Sequence, residues 1–243
     1  MKCRKIKVSK IFTNVILFLC VIIIFITLYL IAKDYMENKK SKDSNEELIQ
    51  KVIDTIGIDW NKLKEINPDI IGWLVVPDTN IDYPILKTGD DLYYLTHTYE
   101  KEYNKNGSII ITSENAGLFE DSEINIYGHN MRNGNMFSIL KNYMDKDFFE
   151  SHQRLYIYTP TCTYEGLIFS VYSGNVFREE NNVKELELEE RIDYYKNKSV
   201  YNNTLELENV DKIVRLITCS YLNSRTNPTE ERYYITAYLE KII

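Results

Sequence analysis

Three side chains with the chemistry of thiol-based acyl transfer lie at the ends of apolar, strand-like segments of this chain. Cys219 ends one segment, His129 follows a second at 123–127, and Arg232 begins a third at 232–239. Acyl transfer through sulfur requires a nucleophilic thiol, a group that moves protons and a donor that stabilises the oxyanion. Because strand ends can hold such groups in a fixed relation, we expect one site built from this cysteine, histidine and arginine.

Each of these residues also has an ordinary structural interpretation. Cys219 could be a small buried hydrophobic residue, whereas a nucleophilic cysteine needs a nearby cation or helix N-terminus to stabilise its thiolate. Among the three histidines, His97 lies in an aromatic-rich run and is expected to pack, and His152 is expected at the surface. His129 differs because Gly128, directly before it, permits a sharp turn or a close approach of another backbone.

The final apolar segment predicts the direction of the Arg232 side chain. Side chains alternate between the two faces of a strand. One face of this segment is core-like and carries Tyr233, Ile235, Ala237 and Leu239. Arg232 belongs to the other face, where a groove could lie. The alternative is a solvated charge paired with Glu230 or Glu231, which would contribute little. Arg225, closer to Cys219 in the chain but within a loop, is the competing candidate.

The four cysteines leave two interpretations open. Cys3 precedes a long apolar run and Cys20 lies within it, so only Cys162 and Cys219 fall in the remainder. Two cysteines in an exported domain are typical of a disulfide. The alternative is a structural thiol at Cys162 and a reactive one at Cys219, which the sequence around Cys219 favours. No metal or cofactor is indicated, since one reactive cysteine and scattered histidines lack the spacing of a zinc site.

Length and composition indicate one globular domain with an N-terminal appendage. The 243 residues are 44% hydrophobic and 27% charged, which is enough to form a sizeable core. The net charge is −7 although five of the first ten residues are Lys or Arg. The rest of the chain is therefore strongly acidic, and this argues against nucleic acid as a partner.

An uncharged run at 11–32 predicts a single transmembrane helix. Its 22 residues match the length needed to cross a bilayer. The run also exceeds the roughly 7–15 apolar residues of a cleavable signal peptide. A buried core helix is the less favoured alternative. The positive-inside bias predicts a cytoplasmic tail at 1–10 and an extracellular location for residues 33–243.

The remaining sequence predicts helices followed by a mainly β domain. Residues 33–65 are interpreted as a charged spacer and N-terminal helices, which Asn67-Pro68 ends. Further helices are expected at 135–143 and 186–197. Eight segments rich in β-branched and aromatic residues are predicted strands, at 71–76, 81–86, 107–112, 123–127, 155–159, 165–172, 211–218 and 232–239. Many short strands with few helices favour a closed or nearly closed antiparallel barrel.

Several motifs together resemble the sortase family, most closely class B sortases of Gram-positive bacteria. The main motifs are Tyr127-Gly-His129-Asn-Met131, Leu216-Ile-Thr-Cys219 and the strand that begins at Arg232. Supporting pieces are Asn-Pro-Asp-Ile-Ile-Gly-Trp-Leu at 67–74 and Thr-Asn-Ile-Asp-Tyr-Pro-Ile at 79–85. The similarity runs from about residue 66 to the C-terminus, which defines a catalytic domain at 66–243.

The resemblance implies an eight-stranded barrel with N-terminal helices and a helix before the cysteine-bearing strand. It also implies a membrane-anchored cysteine transpeptidase, in which Cys219 attacks the C-terminal sorting signal of a secreted protein and forms a thioester. His129 would transfer protons and Arg232 would stabilise the oxyanion, with an amine of peptidoglycan or a lipid-linked wall precursor as acceptor. By the same resemblance, the donor groove would be lined by Leu95, Ile217 and Ser220.

Two departures from the family pattern and two other functions stay open. Ile217 stands where the family has a small hydroxyl residue, and the loop from Cys219 to Arg232 is longer than usual, which keeps Arg225 as an alternative. One other function is a non-enzymatic, membrane-tethered barrel that binds a ligand, with a Cys162–Cys219 disulfide. The second is an enzyme that only hydrolyses, or that polymerises pilins.

Overall fold

The N-terminal part of the chain is one long helix. The computed structural model describes residues 10–54, 57–115, 118–202, 210–222 and 228–242. Its packing divides the chain into two units, residues 1–44 and 45–243. Helix α1 (Lys10–Val52) is long and apolar enough between residues 14 and 49 to cross a membrane. The predicted spacer therefore continues the same helix to residue 52, and the domain boundary proposed at residue 66 stays a prediction.

Short elements connect α1 to the main domain. They are a two-stranded antiparallel ribbon, β1 (Ile53–Asp54) with β2 (Gly57–Ile58), and the helix α2 (Trp60–Ile66). Asp59 caps α2 by accepting a hydrogen bond from the Lys62 N–H. Asn67 follows the helix, and its side-chain amide donates to the buried Tyr94 hydroxyl at 2.7 Å. The predicted break at Asn67-Pro68 is thus confirmed.

Eight strands close into a barrel, as predicted. They are β3 (Ile70–Val75), β4 (Asp82–Leu86), β5 (Ile109–Ile111), β6 (Glu123–Tyr127), β7 (Arg154–Tyr158), β8 (Thr163–Asn175), β9 (Ile213–Cys219) and β10 (Glu231–Lys241). Their order around the barrel is β10-β8-β7-β3-β4-β5-β6-β9. Pairing of β9 with β10 closes the barrel, so none of these strands keeps the unpaired edge of an open sheet.

The barrel is mixed, so the expectation of a purely antiparallel arrangement is wrong. β4 pairs with β5 in parallel, and β6 pairs with β9 in parallel. Parallel neighbours cannot be joined by a tight hairpin and need a long connection. The chain accordingly makes a long excursion between β6 and β9, through β7 and β8. As a result, the C-terminal ends of β6 and β9 lie at the same end of the barrel.

β9 and β10 separate the barrel interior from an outer core. Their inward side chains are Val214, Leu216, Tyr233, Ile235, Ala237 and Leu239. A second apolar cluster covers their outer face and includes Ile213, Ile217, Tyr234 and Tyr238 from these strands with Val183, Ile192 and Tyr195 from the helices. This division confirms the alternation predicted for 232–239.

Helices lie around the barrel, and only some were predicted. The 3₁₀ helices are η1 (Tyr93–Leu95), η2 (Leu118–Glu120) and η3 (Phe137–Met144), and the α-helices are α3 (Lys146–Ser151), α4 (Val176–Val183) and α5 (Leu188–Lys198). The predicted helix at 135–143 is the 3₁₀ helix η3, and the one at 186–197 is α5. α3 and α4 were not predicted, because both are short and begin at the capping residues Asp145 and Asn175, which are equally typical of turns.

A buried charge cluster connects α5 to the outer face of the barrel. The Arg215 side chain on β9 is 6% exposed and donates to Glu123 and to the Tyr172 hydroxyl, each at 3.2 Å. Its guanidinium lies 4.2 Å from the ring centroid of Tyr195. Glu123 also accepts a hydrogen bond from Arg191 of α5 at 3.2 Å. The buried charges of Arg215 and Glu123 are therefore paired with each other, and Arg191 adds a second cation at the rim of the cluster.

We predict that Glu123→Ala destabilises the protein by about 3–5 kcal/mol, because Arg215 would remain buried without its carboxylate. The matched control is Glu165→Ala, whose partner Arg154 is 59% exposed; this change should cost less than about 1 kcal/mol. Urea unfolding of the detergent-solubilised chain measures both. Equal losses in the two variants would contradict the prediction.

Candidate active site

A row of residues across three neighbouring strands brings two of the predicted site residues together. Arg232 on β10 pairs with Cys219 on β9 and with Gly174 on β8. Directly opposed residues point to the same face of a sheet. Cys219 shares its face with Ile217, so this face is the outer one. We call Gly174, Arg232 and Cys219 the terminal row, because β9 ends at Cys219.

The neighbouring row on the same face is aromatic and apolar. It consists of Tyr172 on β8, Tyr234 on β10, Ile217 on β9 and Tyr127 on β6. The rings of Tyr172 and Tyr234 stack with their centroids 4.9 Å apart. Two residues along a strand span about 7 Å, so this aromatic row lies directly beside the thiol. A pocket of about 430 Å³ opens between the aromatic row and α4.

His129 lies beyond the end of β6, on the side of Cys219 away from Arg232. β6 and β9 run parallel, and their last paired residues are Tyr127 and Ile217. The Gly128 N–H then donates to the Ile217 carbonyl at 3.2 Å, which continues the ladder past the strand end. Extended by two more residues, the same register predicts that His129 lies level with Cys219. The parallel pairing therefore directs the segment that carries His129 toward the terminal row, and the Asn130 side chain contacts Cys219 there.

Gly128 is needed for this arrangement. A Cβ atom at this position would lie 2.5 Å from Cδ1 of Ile109 and 2.8 Å from the ring of Phe137, both buried. Real Cβ contacts are not this short, so any larger residue would displace either these buried side chains or the segment that carries His129. The sequence predicted a sharp turn or the close approach of another backbone at Gly128, whereas the atoms that require a glycine here belong to buried side chains.

The imidazole of His129 is oriented by a backbone carbonyl. Its Nε2 atom lies 2.8 Å from the carbonyl oxygen of Leu95. A carbonyl can only accept a hydrogen bond, so Nε2 carries a proton in this arrangement. Nδ1 is then the ring nitrogen left to give or take a proton.

Arg232 is held by backbone carbonyls. Its Nη1 donates to the carbonyl oxygens of Thr229 at 2.6 Å and Glu231 at 3.0 Å. Across the described ranges, it forms no ion pair with Glu230, Glu231 or any other carboxylate. The predicted alternative of a surface ion pair is therefore not found, and the positive charge beside Cys219 is not neutralised there.

Cys219 is half-buried, and the peptide bond that follows it is fixed on both sides. Its carbonyl oxygen accepts a hydrogen bond from Nδ2 of Asn130 at 2.7 Å. The next N–H, that of Ser220, donates to the Glu231 carbonyl at 2.8 Å. This N–H is therefore already used within the protein.

The residues expected to line the donor groove occupy different environments. Leu95 is half-buried and contacts the site through its carbonyl. Ile217 is 3% exposed, and Ser220 is fully buried with its hydroxyl accepting from Ser173 at 2.9 Å. Their role in substrate binding stays a prediction. Arg225 lies outside the described residues.

Cys162 and Cys219 lie at opposite ends of the barrel wall, and both are free thiols. Cys219 is opposite Arg232, whereas Tyr164, two residues after Cys162, is opposite Lys241 at the far end of β10. The stretch of β10 between those positions is about 30 Å long. Because a disulfide needs Cα atoms within about 7 Å, the alternative of a bond within one molecule is wrong.

Cys162 has the environment of a structural thiol. It is 8% exposed and belongs to the barrel core. Burial raises the pKa of its thiol, but hydrogen bonds with Thr159, Tyr164 and Thr161 outweigh that effect, so the pKa is lower than usual. Thiol measurements must therefore distinguish this cysteine from Cys219.

The two other histidines are held by local packing. His97 stacks on Tyr93 with centroids 4.1 Å apart, and His152 stacks on Phe148 at 4.0 Å. In each case Nδ1 also lies within hydrogen-bond distance of the carbonyl of that aromatic residue. The packed role predicted for His97 is confirmed. No group of three or more metal-ligating side chains occurs in the residues that the structure describes.

A buried carboxylate beside the terminal row was not predicted. Glu179 of α4 is 3% exposed and accepts hydrogen bonds from Tyr172, Tyr194 and Lys198 at 3.0, 3.0 and 3.3 Å. It lies over Gly174, where an added Cβ would be 2.7 Å from Glu179 Oε1. The only sequence signal for this close packing is Gly174, the second-last residue of β8.

Comparison with known proteins identifies the class to which this barrel belongs. A crystal structure of Clostridium perfringens sortase B matches with a TM-score of 0.67 and 33% identity, over 75% of this chain and 100% of that one. A Staphylococcus aureus sortase B–substrate complex matches with a TM-score of 0.71 and 25% identity, over 86% of this chain and 100% of that one. The fold is therefore the eight-stranded barrel of sortase B structures.

The sequence comparisons agree. Residues 74–240 match the model of the Sortase domain, so the chain belongs to the sortase family. Sortase B of Listeria monocytogenes is 38% identical over 160 residues, which are 65% of this chain and 65% of that protein. Sortase B of Staphylococcus aureus is 27% identical over 245 aligned positions, 96% of this chain and 98% of that protein. The resemblance found in the sequence is confirmed.

We predict that Gly174→Ala destabilises the protein by about 1–3 kcal/mol, because the methyl group would displace a carboxylate held by three donors. Gly89→Ala is the control, since a Cβ there meets nothing within 4 Å. It should change the free energy of unfolding by less than about 0.5 kcal/mol. Urea unfolding measures both, and a Gly174 variant as stable as the control would contradict the packing argument.

Proposed function

We propose that this protein is a membrane-anchored cysteine transpeptidase that attaches secreted proteins to the cell wall. The observation that carries the proposal is the register of β9, which pairs Cys219 with Arg232 on one side and continues toward His129 on the other. A thiol, an imidazole and an unneutralised guanidinium at one end of the barrel would supply the nucleophile, the proton-transfer group and the oxyanion donor that acyl transfer needs. Membership of the sortase family supports the same reaction.

In the first half of the reaction, Cys219 reacts as a thiolate whose proton is held by His129, and its sulfur attacks a backbone carbonyl carbon of the sorting signal. A C–S bond forms, and the carbonyl oxygen becomes an oxyanion. The C–N bond then breaks as the His129 imidazolium gives its proton to the departing amine. The products are a thioester on Cys219 and a free C-terminal fragment of the substrate.

In the second half, an acceptor amine attacks the thioester carbon. The imidazole of His129 takes the proton from this amine, a new amide bond forms, and the C–S bond breaks. Sulfur leaves as a thiolate, so no oxidant or reductant is required. The orientation of His129 through the Leu95 carbonyl favours Nδ1 as the nitrogen in both transfers.

Arg232 is the best-supported donor to the oxyanion. A backbone N–H often fills this role, but the Ser220 N–H next to the thiol donates to Glu231. Arg232 is opposite Cys219, and only backbone carbonyls bind its Nη1. A guanidinium can exchange such bonds for stronger charge-assisted bonds to an oxyanion.

The proposed setting is the outer face of the cell membrane. The apolar helix α1 supports an anchor, and the basic residues before it favour a cytoplasmic tail at 1–10. The catalytic domain would then lie outside, where exported proteins with a C-terminal sorting signal meet amines of peptidoglycan or of lipid-linked precursors. The acidic body of the protein does not favour nucleic acid.

We predict that Cys219→Ala abolishes peptide cleavage and thioester formation, because none of the other thiols in the described part of the chain lies at the terminal row. Cys162→Ala is the matched control and should keep both activities. Mass spectrometry of the enzyme incubated with a library of sorting peptides detects the thioester, and product analysis detects cleavage. Cleavage by the Cys219 variant would contradict the assignment and favour the non-enzymatic barrel.

We predict that Arg232→Ala lowers kcat about 10²–10³-fold, the usual effect of losing one oxyanion donor. Arg232→Lys should be intermediate, since it keeps the charge but not the planar fork. Arg225→Ala and the exposed Arg154→Ala are controls that should retain most activity. If Arg225→Ala is the more damaging change, the oxyanion role belongs to the loop.

Product analysis with and without an added amine separates the remaining alternatives. A transpeptidase gives an amide-linked product when the amine is present, whereas an enzyme that only hydrolyses gives the free acid in both cases. A pilin-polymerising enzyme would instead prefer a lysine side chain within a folded protein.

A further inference from the structure

We propose that Asn130 is a positioning residue that joins the His129 segment to the backbone of Cys219 and so sets the distance between imidazole and thiol. The inference rests on the proposed function, because it assigns a role within that reaction. Its basis is one contact at the centre of the site. Nδ2 of Asn130 donates to the carbonyl oxygen of Cys219 at 2.7 Å, across 89 positions of the chain.

The contact takes over where the backbone ladder ends. β6 and β9 pair as far as Tyr127 and Ile217, and the Gly128 N–H adds one more bond to β9. Beyond that point side chains supply the hydrogen bonds: the Thr218 hydroxyl donates to the Gly128 carbonyl at 2.7 Å, and Asn130 donates to Cys219. These two bonds lie on either side of His129 in the chain, so this residue cannot shift without breaking one of them.

Asn130 is itself held in place. It forms an isolated antiparallel bridge with Met136, and the Phe137 N–H donates to the His129 carbonyl at 3.0 Å. Phe137 is fully buried. The turn from 130 to 136 is therefore anchored in the core, and the Asn130 amide transmits that rigidity to Cys219.

The bond also fixes the reacting cysteine. The peptide unit that follows Cys219 is bound at its oxygen by Asn130 and at its nitrogen, the Ser220 N–H, by Glu231. A peptide plane bound at both ends cannot rotate, so the Cα–Cβ bond of Cys219 has a fixed direction. Catalysis is sensitive to such orientation, since misplacement by about 1 Å can cost about 10²-fold in rate.

Replacement of the amide by a carboxyl group gives a specific test. In Asn130→Asp, a carboxylate would face the Cys219 carbonyl, and two acceptors repel each other. When protonated, the same group can again donate a hydrogen bond. We expect kcat at pH 7.5 to fall about 10–100-fold with KM changed less than about threefold. The deficit relative to the unmodified protein should shrink several-fold toward pH 5.

Two further variants serve as controls in the full-length, detergent-solubilised chain. Asn130→Ala removes the donor at every pH, so its deficit relative to the unmodified protein should not shrink on acidification. Asn133→Asp adds the same charge to the same loop, and its Oδ1 can still accept from the Asn135 N–H. It should retain near-normal kcat at both pH values. Normal kcat in both Asn130 variants, or a deficit of Asn130→Asp that does not respond to pH, would overturn the proposal.

Alkylation gives a readout that does not depend on the proposed function. The pH profile of iodoacetamide reaction at Cys219 is followed by mass spectrometry of the peptide that contains it, in a Cys162→Ala background. Asn130→Ala should shift this profile, because the imidazole would no longer be held beside the thiol, and Asn133→Asp should not. Identical profiles would overturn the inference, whereas shifted profiles in a protein without cleavage activity would reject only the proposed function.

Discussion

The site depends on the register of one strand, β9, between its two neighbours. Pairing with β10 sets Cys219 opposite Arg232, and pairing with β6 directs the chain toward His129. A slip of one residue would turn every side chain of β9 to the other face. The thiol would then point into the barrel interior, away from both partners. Neither neighbour alone could define the site, because the antiparallel pair supplies the arginine and the parallel pair supplies the histidine.

The buried Arg215 makes such a slip unfavourable. It lies on the same face of β9 as Cys219 and is paired with Glu123 beside the ring of Tyr195. A shifted register would carry this charge into the apolar interior, among residues of neighbouring strands such as Ile126 and Ile235, without a carboxylate. Buried ion pairs often add little net stability, but an unpaired buried charge is strongly unfavourable. The ion pair therefore disfavours wrong registers, and a charge cluster four residues before Cys219 on β9 helps to place the thiol.

Features of the fold that depend on residues close in sequence could be predicted, and features that depend on residues distant in sequence could not. All eight barrel strands could be predicted, because alternation and β-branched residues are local signals. The parallel pairing of β4 with β5 and of β6 with β9 could not be predicted, since strand pairing depends on residues far apart in the chain. Cys219, His129 and Arg232 could be proposed as site residues from the sequence because few residue types can perform acyl transfer. Glu179 and its packing on Gly174 could not be found, because a glutamate in a polar segment is typical of an exposed helix.

The structure distinguishes Arg232 from other cations on the outer face by its hydrogen-bond partners, which the sequence does not reveal. On the outer face, Arg215 and Arg191 are both paired with Glu123, and Lys198 is paired with Glu179. Arg232 differs, because its Nη1 is bound by backbone carbonyls rather than by a carboxylate. A cation paired with a carboxylate has little left to offer a new anion, whereas carbonyl ligands can be exchanged for an oxyanion with a gain in strength. Among these outer-face cations, the one opposite Cys219 is therefore best suited to bind transition-state charge, which supports the role proposed for Arg232.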